Sequence, residues 1–508
     1  MKSFFTAMII ITGLFLPCLA AAAYEYEYEK DVKLNGKISI DGYIQGKAIY
    51  AFDHDSPDEH PSGEIGLEMK ANASSWLSAK LFLKVVQDGK VKAPANDNVF
   101  NQFNLIYQDK NPYIDINEAF FDIYTGKVDF RLGIQKFAWG RLDELTPTDN
   151  LNPSDLTEGG INDQAERKIG VPAAKMNYYS DLFNTELVWI PQYVPYRLPK
   201  VQERWFPGVL IFPPIIKTNT AFGDIPVTTS YKDINMPDFN LDNSETGIRI
   251  SKYVGGWDIS LSYFRGFDVM PLMDASTDIT VELKDPIALA YAIKANLNIE
   301  PRVHMMNVFG FDFTTTIGSF TVRGEYAYFN NKYYMRKFNS VLKELYTTQQ
   351  RDRILSEFIN RYVDSRGTAT TQTFHIDPEV DLQMDSMKYG LGLDYIHGDS
   401  SVSLQCIQEF IPHYDLSKPI YFNKDGFHTV VTFMFKQFLL QNTLEINLGG
   451  AYDVEYQDIM IKPSIKYNFT NDLQGIIGIL IIDSSHDDSM FGQYRNHDEV
   501  FAKLKYSF

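Results

Sequence analysis

The last twelve residues of the chain, from His497 to Phe508, alternate between apolar and polar side chains. One parity holds Val500, Ala502, Leu504, Tyr506 and Phe508, and the other holds Glu499, Lys503, Lys505 and Ser507. Successive side chains of a β-strand point to opposite faces, so this period of two predicts a strand with one apolar and one charged face. An ordinary strand at the end of a soluble domain would show the same pattern. The pattern in the rest of the chain distinguishes a soluble sheet from a membrane barrel.

A second long segment, from Leu34 to Phe52, shows the same alternation more clearly. Its even positions read Leu, Gly, Ile, Ile, Gly, Ile, Gly, Ala, Tyr and Phe, whereas its odd positions from Asn35 to Lys47 read Asn, Lys, Ser, Asp, Tyr, Gln and Lys. A strand of a globular sheet usually has about 5–6 residues. A membrane strand is tilted and continues beyond the bilayer, and it places every second side chain against lipid. The length of this segment therefore favours a transmembrane β-barrel.

The same pattern recurs along the whole chain. Strand-like runs lie at 34–52, 63–73, 76–87, 113–124, 128–139, 167–178, 183–192, 245–253, 257–266, 303–314, 319–329, 387–397, 401–411, 426–437, 443–453, 459–469, 474–483 and 497–508. Tight turns alternate with long insertions at 140–166, 193–244, 267–302 and 330–386. Short periplasmic turns and long extracellular loops are typical of outer-membrane barrels. We therefore predict an all-β fold, a single antiparallel transmembrane β-barrel of about 18 strands with 16 as the alternative.

Two insertions depart from the strand pattern. Residues 339–364 place Leu342, Leu345, Ile354 and Phe358 at helical spacing, which predicts one helical insertion in a long loop, assigned to 340–362. This helix is expected outside the barrel, with a position inside the lumen as the alternative. The segment from Asp285 to Leu297 is expected to form a shorter helix with Pro286 in its first turn.

The N-terminus indicates export. A positive start, an apolar stretch from Ala7 to Leu19 and small residues up to Ala23 predict a signal peptide at 1–23, followed by the barrel at 24–508. Cys18 leaves with the signal, so the mature chain keeps only Cys406 and cannot form an internal disulfide. The formal net charge of −18 argues against binding to nucleic acid, which requires a basic face. Mean hydropathy is −0.23, which a barrel tolerates because only alternate residues face lipid.

A region between residues 113 and 200 carries a more specific signal. It contains Gly133-Ile-Gln135, Trp139-Gly140, Asn152-Pro-Ser-Asp155 and a Trp189-Ile-Pro segment that ends in Arg197-Leu-Pro199. In these features the chain resembles a large, mostly uncharacterised proteobacterial family of porin-like outer-membrane β-barrels, a domain of unknown function that is distantly similar to alginate-export-type porins.

The resemblance implies a location in the outer membrane of a Gram-negative bacterium and the passage of a solute. The implied partners are outer-membrane lipid, a small-molecule solute and, during biogenesis, the barrel-assembly machinery, which would recognise Leu504, Tyr506 and Phe508 in the closing strand. The oligomeric state stays open, with a homotrimer as one option. The resemblance implies no enzyme activity and no cofactor.

The loop after Trp139 is the candidate selectivity element. Its prolines and its Asp and Asn residues favour a fixed shape, and a rigid loop folded inward would narrow a wide lumen. Opposed charges in such a constriction would orient a polar solute. The candidate constriction and solute-binding residues are Asp129, Arg131, Gln135, Arg141, Asp143, Glu144 and Asp155. The alternative is that Asp129 and Arg131 only pair with neighbours on a polar barrel wall.

The function predicted from the sequence is a passive, porin-like channel for a polar or amphipathic small solute. The alternatives are an outer-membrane transporter of hydrophobic compounds or lipid, a sheath barrel around a partner electron-transfer cytochrome, and an outer-membrane hydrolase. No catalytic residue stands out, because there is no Gly-x-Ser-x-Gly motif around a nucleophile. The nine His residues form no zinc pattern, and no Cys-x-x-Cys-His haem motif is present, so neither a metal nor a cofactor is expected.

Overall fold

A computed structural model describes residues 38–52, 61–87, 105–106, 112–159, 162–199, 203–210, 215–217, 224–232, 234–268, 270–285, 287, 290–345 and 347–508. Its main element is a closed barrel in which every neighbouring pair of strands is antiparallel. The first and last strands, β1 (Ile38–Ala51) and β24 (Glu499–Ser507), pair over nine residues and close the ring. The signal peptide assigned to 1–23 lies outside the described residues.

The barrel contains 18 strands in ring order: β1 (Ile38–Ala51), β2 (Ser62–Ser74), β3 (Leu77–Gln87), β5 (Tyr113–Tyr124), β6 (Val128–Gln135), β7 (Val171–Tyr179), β8 (Asn184–Ile190), β11 (Glu245–Val254), β12 (Trp257–Phe267), β15 (Met305–Ile317), β16 (Phe320–Met335), β18 (Asp381–His397), β19 (Ser400–Phe410), β20 (Phe427–Leu439), β21 (Leu444–Asp453), β22 (Asp458–Asn468), β23 (Leu473–Asp483) and β24 (Glu499–Ser507). A two-residue strand, β4 (Leu105–Ile106), pairs with β5. The predicted fold class and the strand number are confirmed, and the alternative of 16 strands is wrong.

Alternation along the strands separates an apolar outer surface from a polar lumen. Leu391 and Leu393 of β18 are 61% and 43% exposed, whereas Asp312 and Glu325 on neighbouring strands are buried toward the interior. Exposed Leu, Ile, Val and Phe recur on the outer parity of the strands around the ring. A continuous apolar belt on a closed barrel is the surface that contacts lipid. Within the described chain, no helix is long and apolar enough to cross a bilayer.

The two chain ends meet where the ring closes. Phe508 exchanges both backbone hydrogen bonds with Gly42, at 2.9 Å each, although Phe508 lies just beyond β24. The phenyl ring of Phe508 lies 2.6 Å from the position that a Cβ on residue 42 would occupy, so a side chain there would displace the ring. The short turns and the C-terminus lie at one end of the barrel, and all long insertions lie at the other, which we call the short-turn end and the long-loop end.

The long insertions build a second sheet that the sequence did not predict. It contains β9 (Ile215–Lys217), β10 (Asp224–Tyr231), β13 (Leu272–Asp285), β14 (Ala290–Arg302) and β17 (Thr371–Ile376). The strand order is β17-β13-β14-β10-β9, and only β10 and β14 pair in parallel. The predicted helix from Asp285 to Leu297 is therefore wrong, because Asp285 ends β13 and the residues from Ala290 to Leu297 belong to β14, which pairs with it.

Two helices cover one face of this second sheet. α2 (Phe338–Leu345) and α3 (Thr348–Asp364) follow a short α1 (Gln164–Arg167) in chain order. Leu342, Leu345, Ile354 and Phe358 pack with buried residues of β10, β13 and β14 in one apolar cluster. The sequence predicted a single helix here, but Thr347 caps a separate helix by accepting a hydrogen bond from the backbone N–H of Gln350. The sheet and its helices form an α+β subdomain at the long-loop end, which we call the external subdomain, and its sheet is the external sheet.

Candidate functional site in the barrel lumen

The segment after β6, residues 136–170, turns into the barrel and packs on its inner wall. Phe137, Trp139, Leu151 and Ile169 are buried in a cluster with inward-facing side chains of β7, β8, β12, β15 and β16. The Trp139 indole N–H also donates to Glu186 Oε1 at 2.6 Å. Burial of large apolar side chains holds this segment against the wall, since each contributes about 1.5–3 kcal/mol. We call residues 136–170 the inner loop.

Glu325 of β16 is the main polar anchor of the inner loop. Its carboxylate accepts hydrogen bonds from the backbone N–H of Arg141 and, at 2.6 Å, of Leu142. The other oxygen accepts from the backbone N–H of Thr148 at 3.0 Å and from the Thr148 hydroxyl at 2.8 Å. Gly140 has a φ of +90°, and a Cβ there would lie 2.7 Å from Glu325 Oε1, so the turn beside the carboxylate requires glycine.

The side chain of Arg141 extends the same anchor along the wall. Its Nε donates to Asp312 at 3.0 Å and its Nη2 donates to Asp258 at 2.6 Å. Arg249 of β11 also donates to Asp312 at 2.9 Å. Asp312 lies directly opposite Glu325 in the β15–β16 ladder. The inner loop therefore satisfies two adjacent wall carboxylates, one with backbone donors and one with a guanidinium.

Three acidic residues of the inner loop were candidates from the sequence, and each has a partner in the structure. Asp143 accepts from Arg323 at 2.8 Å and from Gln405 at 2.6 Å, which are wall residues of β16 and β19. The other two candidates pair with arginines outside the barrel strands. Glu144 pairs with Arg167, and Asp155 accepts from Arg197 at 2.7 Å.

The remaining sequence candidates lie on β6. Arg131 pairs with Asp122 of β5 at 2.7 Å and lies 3.9 Å from the centre of the Phe120 ring. Gln135 donates to the Ala173 carbonyl at 2.9 Å, and Asp129 lies near the short-turn end opposite Tyr124. The seven candidates therefore do not form one cluster, and Arg131 matches the alternative of pairing with a neighbour on the wall.

The far side of the inner loop contacts a set of lysines that the sequence did not single out. Glu158 pairs with Lys47 of β1, and Asp163 lies 3.5 Å from Lys462 of β22. Lys503 of β24 donates to Asn162 at 2.8 Å and lies 3.8 Å from Glu166. The inward parity of these lysines was visible in the alternation of their strands. What the alternation could not show is that the inner loop reaches them.

Residues 191–199 and 203–210 lie at the long-loop end of the lumen. Arg197 pairs with Asp115 of β5 at 3.2 Å, and Arg204 pairs with Glu499 of β24 at 3.1 Å. Trp205 is buried against the ring of Tyr494, with ring centroids 5.4 Å apart. These contacts join β5 to β24 across the opening above the inner loop.

The inner loop spans the lumen between two walls of different charge. Its first half lies on β12, β15, β16 and β19, where Asp258, Asp312 and Glu325 face inward, and its second half lies on β22, β24 and β1, where lysines face inward. In ring order two strands, β20 and β21, separate these walls on one side, and seven strands separate them on the other. Charges that line a narrow aqueous path set which solutes pass through it. The described residues contain no group of His, Cys, Asp and Glu arranged to hold a metal ion.

Comparison with known proteins gives a family but no named activity. A family model described as "Protein of unknown function (DUF1302)" matches residues 86–508, which confirms the resemblance noted in the sequence. No curated protein matches the chain. Among solved structures, OccAB4 of Acinetobacter baumannii is 10% identical over 93% of this chain and 98% of its own, with a TM-score of 0.46.

Two further solved structures show likenesses of the same order. OccK8 (OprE) of Pseudomonas aeruginosa is 10% identical over 93% of this chain and 98% of its own, with a TM-score of 0.44. OmpF of Salmonella typhi, in a complex with daunomycin, is 8% identical over 94% of this chain and 100% of its own, with a TM-score of 0.38. These likenesses are distant, and the fold assignment rests on the strand pairing described above.

Proposed function

We propose that this chain, which belongs to the family described as "Protein of unknown function (DUF1302)", is a passive outer-membrane channel for a small polar solute. The apolar outer belt and the polar inner wall support a location in the outer membrane of a Gram-negative bacterium. For biogenesis, we propose that Leu504, Tyr506 and Phe508, which share the outer face beside β1, serve as the recognition row for the barrel-assembly machinery.

The observation that carries the proposal is the position of the inner loop. A barrel of about 16–18 strands encloses a lumen wide enough for water and solutes. The inner loop lies across that lumen, since Glu325 holds it on one wall and Lys47 and Lys503 contact it on the other. A constriction lined by charged groups is the part of a channel that selects among polar solutes.

The same contacts weigh against the alternatives. A transporter of hydrophobic compounds needs an apolar path, yet the apolar inner-wall cluster that includes Phe264 and Val308 is covered by Trp139 and Leu151 of the inner loop. A sheath barrel needs an interior that receives a partner protein, whereas here the chain itself occupies the interior. Both observations favour a narrow polar path.

Single-channel recording in planar bilayers tests the proposal. The folded protein should insert and conduct ions, and deletion of Thr146 to Ser154 should raise its unitary conductance because the inner loop loses its contacts with Glu325 and with the apolar wall. The matched control is deletion of Ser340 to Tyr362 in the external subdomain, which should leave the conductance unchanged. Folded protein that never conducts would contradict the proposed function. Equal conductance in all three proteins would contradict the role of the inner loop.

A further inference from the structure

A row of inward-facing lysines occupies one continuous part of the barrel wall. The row is made by Lys436 of β20, Lys462 and Lys466 of β22, Lys503 and Lys505 of β24, and Lys47 of β1. Lys47 and Lys503 are direct cross-strand neighbours, as are Gln45 and Lys505 one step nearer the short-turn end. Residues two or four apart on a strand share a face, so the six ammonium groups line the same side of the lumen. We call this row the lysine wall.

In the part of the lysine wall nearer the long-loop end, the charge of the lysines is neutralised by carboxylates of the inner loop rather than by carboxylates of the barrel. Glu158, Asp163 and Glu166, together with the amide of Asn162, contact Lys47, Lys462 and Lys503. We call these four loop residues the acidic strap. The strap covers its lysines closely, since the Lys47 and Lys503 side chains are only 7% and 9% exposed. Three carboxylates of the inner loop therefore pair with three lumen-facing ammonium groups of the wall.

The lower part of the wall keeps an excess of positive charge. Lys436 and Lys466 share one carboxylate, Glu445 of β21, at 3.6 Å and 3.7 Å. Lys505 has no carboxylate partner among the described residues, and its ammonium lies 4.0 Å from the centre of the Tyr43 ring. An ammonium held over an aromatic face keeps its full charge, and it can still donate to a passing anion.

Among the described residues, the wall formed by β12, β15, β16, β18 and β19 does not offer a comparable site for cations. Asp258 and Asp312 are bound by Arg141 and Arg249, Glu325 is occupied by backbone donors, and Asp394 is bound by Arg323. The acids of that wall are thus each satisfied by a fixed donor of the folded chain. A solute would therefore meet carboxylates that are already hydrogen-bonded on one wall. On the lysine wall it would meet ammonium groups that pair with the acidic strap or have no carboxylate partner among the described residues.

We propose that the lysine wall binds small solutes that carry several carboxylate groups, and that the acidic strap occupies the same ammonium groups when no solute is present. This inference rests on the proposed channel function. The strap supplies the chemistry of the ligand, because carboxylate oxygens on neighbouring ammonium groups are the contacts that a polycarboxylate would make in turn. A solute arriving from the long-loop end would exchange with Glu158, Asp163 and Glu166 and then meet Lys466 and Lys505 below them.

Ion selectivity and block by citrate test the proposal in planar bilayers. The strap variant Glu158→Gln/Asp163→Asn/Glu166→Gln should raise the chloride-to-potassium permeability ratio and lower the citrate concentration that halves the current. The wall variant Lys505→Gln should change both quantities in the opposite sense, by about twofold for a unit charge in a salt-screened aqueous lumen. Lys505 forms no ion pair in the described chain, so its replacement is not expected to disturb folding.

The matched control is Lys294→Gln, which removes a lysine from the exposed face of β14 in the external subdomain, and it should leave both quantities unchanged. Channels that conduct but show the same selectivity and the same citrate block in strap, wall and control variants would overturn this inference while leaving the channel function intact. A strap variant with a reduced preference for anions would also overturn it. Folded protein that does not conduct would contradict the channel function itself.

Discussion

Replacement of Glu325 by alanine should release the inner loop from the wall. The carboxylate is buried, and it accepts three backbone N–H groups and one hydroxyl from Arg141, Leu142 and Thr148. These four donors are polar contacts that fix the first turn of the inner loop to β16. The variant should therefore convert one narrow conducting state into an equilibrium between docked and released states.

The size of the effect follows from the number of donors left without a partner. An unsatisfied buried donor costs about 1–3 kcal/mol. The lumen can admit water to the vacated site, so we take the low end for the three backbone donors, which gives about 3 kcal/mol. Since 1.4 kcal/mol is a factor of ten, the docked-to-released ratio should fall by roughly a hundredfold. Glu325→Gln keeps one acceptor oxygen and should have a smaller effect in the same direction.

Single-channel recordings of Glu325→Ala should show long openings at the conductance of the Thr146-to-Ser154 deletion variant, which the unmodified channel visits rarely. Asp385→Ala is the matched control. The Asp385 carboxylate on β18 also accepts several hydrogen bonds, from Tyr328 at 2.7 Å, from Asn330 at 3.1 Å and from the Asn331 backbone at 3.2 Å, but on the outer parity of the wall. Its removal should leave the conductance unchanged.

If the loop deletion raised the conductance but Glu325→Ala did not, the inner loop would be the restriction and its apolar contacts, rather than Glu325, would hold it. If Asp385→Ala opened the channel as well, the effect would reflect general loosening of the barrel and not release of the inner loop.

Two further predictions concern charges elsewhere in the protein. Arg131→Ala leaves Asp122 without its partner on the lumen wall, so the permeability ratio should shift toward cations in reversal-potential measurements; an unchanged ratio would place this pair off the conducting path. In the external subdomain, a hydrogen bond to Asp278 and the nearby Asp377 raise the pKa of His375. A raised pKa in the folded state contributes stability that is present below the unfolded value and lost as pH rises through the folded one. The protection factors of the β17 amides, which are corrected for the intrinsic base-catalysed rise in exchange, should therefore fall as pH rises through the folded pKa of His375. His375→Gln should flatten that pH dependence, and a profile equal to that of the unmodified protein would show that the pair does not stabilise the strand.

The barrel could be predicted from the sequence because its determinants are local. Parity along each strand separates lipid-facing from lumen-facing side chains, and turn residues mark the short connections. Both signals are read within about ten residues, so the strand number and the two ends of the barrel were correct. The closing strand was recognised for the same reason, since Tyr506 and Phe508 share the outer parity.

The external sheet was missed although β13 alternates along its length. β13 buries Met273, Ala275, Thr277, Ile279 and Val281 on one face, but it lies within a long insertion, and alternation alone does not identify the sheet that a strand joins. In the next segment, apolar residues about four apart between Asp285 and Leu297 imitate a helical period. The helices and strands that cover the buried face of this sheet belong to other insertions, so the sequence of one strand does not identify them.

The long-range charge pairs of the lumen were decided by the tertiary structure alone. Parity predicted that Lys503 faces inward, but it could not assign Lys503 to Asn162 and Glu166, whereas Arg131 and Asp122 are direct neighbours in one hairpin. Glu325 lies 184 residues from Arg141 in the chain, and Lys503 lies 341 residues from Asn162. The path of the inner loop through the closed barrel brings these groups together and selects which of them pair. Local sequence sets the side of the strand on which a charge lies, whereas a partner far away in the chain depends on the path of the inner loop between the walls.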